Sequence, residues 1–165
     1  MEYTLGKITT DYHSTEDRVR ILGEAQSGIV CEIWLSNRLL NRLISTLLDQ
    51  SNQDIFKSEA VETFQQEAAV ANFKSQPPVQ HHQETVSWLA TSINVARGDG
   101  ARKLIFKDKA SLSATIIFTD IQLRQWMEIV YKSYVKSEWS LAAWPAWFLT
   151  MHSQAKNQKG NDAIH

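Results

Sequence analysis

Apolar residues occupy every second place along residues 29–35 and again along 112–118, where Ile29, Cys31, Ile33 and Leu35 match Leu112, Ala114, Ile116 and Phe118 at an offset of 83 residues. Such alternation predicts a strand that buries one face. Each run passes straight into a helix start, Ser36-Asn37 in one case and Thr119-Asp120 in the other, whose side-chain oxygens suit the free amides of a first turn. The period then changes. Leu39, Leu40, Leu43, Ile44, Leu47 and Leu48 share one side of the first predicted helix, and Leu123, Trp126, Met127, Val130, Tyr131 and Tyr134 share one side of the second.

The segments upstream repeat as well. DRVRILGEA faces ARKLIFKDK, each leading through a short polar turn into the next strand, and EYTLGKIT faces TVSWLATSINVARG, closed by Gly98-Asp99-Gly100. The pattern predicts an α+β domain over residues 1–152. Its sheet is expected to be mainly antiparallel, with about six strands from two βββα units in a pseudo-two-fold internal repeat and helices packed on one face. Unit one covers 1–52 and unit two 85–152. Between them, 53–84 holds an extra helix with Asp54 as its cap and a thin stripe of Ala60, Phe64, Ala68 and Ala71, followed by KSQPPVQHHQE, which reads as an exposed connection. Residues 153–165 are polar and read as a flexible tail.

Composition narrows the function classes. Seventeen Lys and Arg against eighteen Asp and Glu leave no global field for a nucleic-acid backbone or an anionic membrane. The stretch from Trp139 to Ala155 lacks formal charge, but it contains Pro145 and several polar residues and is shorter than the roughly 20 apolar residues a spanning helix needs. No membrane association is expected. The N-terminus has no basic segment followed by an apolar run, and the lone Cys31 sits on an apolar strand face, so a reducing, cytoplasmic setting is expected.

Candidate chemistry is sparse. His81-His82 lacks further ligands at metal spacing, no Ser sits in a Gly-flanked elbow, and Gly98-Asp99-Gly100 lacks the helix and lysine of a phosphate loop. No catalytic, cofactor or metal site is assigned, and a non-enzymatic module is expected. The aromatic residues say more. With Ile33 facing the helices, Trp34 faces the other side of the sheet, joined there by Ile117 and, in the expected phase of the third strand, by Val86 and Trp88. Trp139, Trp144 and Trp147 crowd one short segment near the C-terminus, broken by Pro145. Trp34, Trp88, Trp139, Trp144 and Trp147 are therefore the candidate interaction residues, for self-association as a homodimer or for another protein.

The alternative is single-stranded DNA or RNA stacking on the aromatic face, with Arg18, Arg20, Arg97, Arg102, Lys103 and Lys107 as phosphate contacts. The order of repeated sheet-plus-helix units resembles that of the Whirly and PUR-repeat families, whose sheets bind single strands. Those units have four strands where three are read here, and the resemblance implies no particular binding residue.

Overall fold

The computed structural model of the chain describes residues 1–48, 58–82 and 84–162. The alternating runs form strands: β1 (Glu2–His13), β2 (Arg18–Ala25) and β3 (Val30–Leu35) make one antiparallel meander, and β5 (Ser92–Gly98), β6 (Ala101–Lys107) and β7 (Ser113–Thr119) make another. Each meander runs into a helix, α1 (Asn37–Leu48) or α3 (Asp120–Ser137). Ser36 Oγ accepts from the Leu39 amide at 3.2 Å, and Thr119 and Gln122 cap each other reciprocally, so both helix starts are fixed by the residues that announce them.

The sheet is mixed, with seven strands in the order β4-β3-β2-β1-β7-β6-β5, and so departs from the mainly antiparallel six-stranded expectation. β1 pairs in parallel with β7, and β3 with β4 (Thr85–Leu89). The extra strand arises because residues 85–98 break at Ala90-Thr91. The Ala90 amide donates to the Trp34 carbonyl while the Thr91 amide donates to the Lys107 carbonyl, which hands the chain from β3 to β6. Two residues thus join the two edges of the sheet, and the sheet curls.

One face of the curled sheet carries the core. Ile21, Ile33, Leu104, Phe106 and Ala114 are buried there with Leu40, Ile44, Met127 and Tyr134 of the helices. A register shift at Gly6 changes the phase of β1, so Tyr3 and Leu5 face the core before it and Ile8, Thr10 and Tyr12 after it. Gly23 leaves the room that the Leu5 side chain fills.

The break at Ala90 also sets the phase of β4. Trp88 pairs with Ile33, stacks on Tyr3 and is buried in the core, whereas the expectation put it beside Trp34 on the opposite face. Trp144 and Trp147 are likewise buried, Trp144 edge-on to Tyr131 and Tyr134. They pack into the helix-covered core, as does the inner edge of Trp139, whose indole N–H donates to Asp17 at 2.9 Å. Residues 153–162, read as a tail from their polarity, extend α4 (Ala146–Asp162), which Phe148 and Met151 anchor in the core.

The inserted helix, α2 (Glu59–Ala71), is capped by Ser58; Asp54 lies outside the described residues. Its buried side is Glu62, Gln66 and Ala69 rather than the alanine and phenylalanine stripe. Polar bonds decide this. Arg124 of α3 pairs with Glu62 at 2.8 Å, Gln66 donates to the Arg124 carbonyl, and Gln125 donates to the Ala69 carbonyl. Docked this way, α2 turns Phe64 outward, 71% exposed. The connection after α2 also differs from expectation: Val79 is buried with Leu22 and Val30 on the outer face of the sheet, and its amide donates to Thr9 Oγ1.

Candidate functional site

Two surfaces gather chemistry-bearing residues. The first follows from the strand period. Opposite the core face, the cross-strand row Asp11, Arg20, Trp34, Leu89 lies beside the row Thr9, Leu22, Glu32, Ser87. Glu32 is 8% exposed, and a carboxylate that dry is stable only if its oxygens are satisfied. Oε1 accepts from Ser87 Oγ at 2.8 Å and from Trp34 Nε1 at 3.2 Å, while Oε2 accepts from Arg20 at 3.4 Å and faces His81 at 3.6 Å. Arg20 grips Asp11 with Nε and Nη2 at 3.2 and 3.0 Å. Burial alone would lower the Arg20 pKa; the bonds to Asp11 and Glu32 outweigh it and raise it.

The half-buried Trp34 is thus held by three neighbours. Arg20 lies 5.9 Å from its ring centroid, His13 meets it edge-on at 5.4 Å, and its N–H is committed to Glu32. A polar network thus surrounds part of the ring that the alternative, single-strand reading uses as a stacking platform. The other basic candidates are divided. Arg18, Lys103 and Lys107 share the outer-face parity of Arg20, whereas Arg97 and Arg102 pair with one another on the core-facing parity, where Arg102 approaches Asp120 at 3.6 Å. They do not form one phosphate-tracking stripe.

The second surface is a groove of about 670 Å³ between α2, α3 and α4. Its apolar lining includes Val70, Tyr131, Val135 and Met151, with Val70 and Val135 37% and 48% exposed. Four lysines line it as well, Lys132 and Lys136 one turn apart on α3, and Lys156 and Lys159 on α4. On its floor His152 presents Nε2 to Glu128 Oε1 at 2.8 Å and Nδ1 to the Phe148 carbonyl at 2.9 Å. Both ring nitrogens face acceptors, so the imidazolium is favoured. Burial would lower its pKa, but the bonds to Glu128 and Phe148 raise it above the ordinary histidine value. A ring with both N–H groups committed has no lone pair for general-base work.

No family model, curated protein or solved structure matches this chain. The likeness to the Whirly and PUR-repeat families rests on element order alone. Other groups fit chemistry poorly. Burial pushes the Cys31 thiol up to about 11, and it pushes the Tyr134 phenol, which donates to Asn41 at 2.6 Å, up as well. Among the described residues, no three of His, Cys, Asp and Glu converge as metal ligands, and no helix is long and apolar enough to cross a membrane.

Sequence reasoning missed the groove. The only signals were Lys132/Lys136 and Lys156/Lys159 at helical spacing, and the second pair lies in residues whose polarity reads as unfolded.

Proposed function

We propose that this chain is a non-enzymatic binding and assembly module that works through the groove between α2, α3 and α4. One observation carries the reading: an open groove lined by four lysines and by apolar side chains, among them the exposed Val70 and Val135, on a chain whose six tryptophans are buried or held in contacts of their own. Exposed apolar area of this kind is retained where a partner covers it. The absence of enzyme activity is part of the proposal; it is supported by the committed His152 ring and by the suppressed Cys31 thiol. The two βββα stretches are read as a structural duplication whose helices share the core face of the sheet, supported by the matched caps at Ser36 and Thr119. The buried free thiol suits a cytoplasmic, reducing setting.

The test is co-purification from native extract, run with wild type and Val135→Asp and with and without nuclease. A protein partner retained by wild type and lost by the variant is expected. Equal recovery of the same partners by wild type and Val135→Asp would reject the groove as the binding face, and nuclease-sensitive recovery would favour single-stranded nucleic acid.

A further inference from the structure

We infer that a cavity of about 320 Å³ beneath α2 binds a small uncharged molecule with an apolar body and one N–H or O–H donor, which it gives to Gln66. This site is separate from the lysine-lined groove and does not depend on it.

The cavity lies between α2, the first two turns of α3 and the C-terminal end of α1. Its volume is at the small end of the range for ligand sites, roughly 300 to 1,000 Å³. α2 docks on α3 through polar bonds, which hold two helices together without filling the space between their apolar sides. Leu48, Leu123 and Met127 line the space that is left. Phe64 of α2 and Ile121 of α3, 71% and 57% exposed, line it as well, and a ligand seated there covers part of each.

Gln66 decides what the ligand carries. It is fully buried, and its Nε2 donates to the Arg124 carbonyl at 2.8 Å. That bond fixes the amide's orientation, because a flipped amide would set two carbonyl oxygens against each other. Oε1 is then left buried with no partner among the described residues. Few buried acceptors in folded proteins go unmet, and an unmet one favours whatever brings it a donor. Gln66 lines this cavity and not the groove, so the donor comes from the cavity side.

Charge decides what the ligand lacks. Two cations and two anions line the cavity, Arg124 with Glu62 at 2.8 Å and Arg102 with Asp120 at 3.6 Å. Each is answered within the wall, so a charged ligand would enter without a counter-ion of its own. An uncharged ring system bearing one N–H meets both conditions.

Indole serves as the probe, with benzofuran as its donor-free isostere and indole-3-carboxylate as its charged counterpart. Each is titrated into the full chain up to millimolar concentration and followed by NMR at the Ile121 and Met127 methyls and the Gln66 side-chain amide. Indole should shift all three signals saturably and bind at least about tenfold more tightly than either counterpart. Ile121→Ala, at an exposed position, should weaken indole by at least about threefold. Gln66→Leu removes the acceptor at nearly the same size and should abolish the preference for indole over benzofuran. Because that preference is a ratio, a general loosening of α2 would leave it in place, and circular dichroism close to wild type would show that the variant is folded.

Equal binding of indole and benzofuran by wild type would overturn the inference. So would a preference that survives in Gln66→Leu, or shifts confined to the Val70 and Val135 methyls, which would put the probe in the groove. No saturable shift with any probe would overturn it too, and Gln66 Oε1 would then be met by solvent alone.

Discussion

Replacing Trp34 with alanine separates a structural outer-face network from a free stacking platform. Three contributions disappear. The indole N–H bond to Glu32 contributes about 1 kcal/mol, because Ser87 and Arg20 continue to satisfy the carboxylate. The Arg20 contact above the ring contributes about 0.5 to 1 kcal/mol at this half-buried site. Covering part of the ring contributes about 1 to 2 kcal/mol more. The expected loss is about 3 kcal/mol, which for a chain of this size lowers the melting temperature by roughly 6 to 12 °C. Trp34→Phe keeps the covered area and loses the N–H, so its cost should be nearer 1 kcal/mol. Urea denaturation of the three proteins supplies the numbers, repeated with a mixture of single-stranded oligonucleotides. A Trp34→Ala protein within about 0.5 kcal/mol of wild type, the range of an ordinary surface change, would refute the network reasoning. Stabilisation of wild type by the oligonucleotides, lost in the variant, would restore the stacking platform.

Trp144→Ala should cost about 3 to 5 kcal/mol by denaturant titration, more than Trp34→Ala, because Trp144 is only 3% exposed and packs among Tyr131, Tyr134 and Phe148. The His152 imidazolium gives a pH dependence of definite sign. A folded-state pKa above the unfolded value of about 6.5 means its stabilisation is fully present below that pH and is lost as pH rises through the folded value. Unfolding free energy measured across that range should fall with pH in wild type, and fall less in Glu128→Gln. Cys31, with its thiol near 11, should resist alkylation at pH 8 in the native protein and react once urea exposes it, as followed by mass spectrometry; rapid native labelling would contradict its burial.

Much of the fold can be read from periods and caps, since these are local. The alternation at Ile29–Leu35 and Leu112–Phe118, and the oxygens of Ser36 and Thr119, act within a few residues of where they stand. What escapes is set by distant partners. Nothing local shows that Ala90 and Thr91 bond to different strands, and that handover decides both the seventh strand and the placement of Trp88 in the core. The docking of α2 on its polar edge depends on Arg124, 62 residues from Glu62, which overrides the weak apolar stripe. Glu32 is visible in the sequence as a carboxylate inside a strand, yet its satisfaction needs Arg20, Ser87 and His81 from three other segments. The groove was hidden for a further reason. One wall is the polar end of α4, which is helical as a continuation of a segment anchored by Trp147, Phe148 and Met151 rather than through an apolar stripe of its own.

Methyl-resolved NMR of the full chain, followed across a concentration series, tests most directly whether the groove rather than the outer sheet face is the binding surface. Methyl signals of Val70, Val135 and Met151 should shift together as concentration rises, while the indole N–H of Trp34 stays in place. Shifts at Trp34 and Ile117 with the groove methyls unmoved would contradict the account.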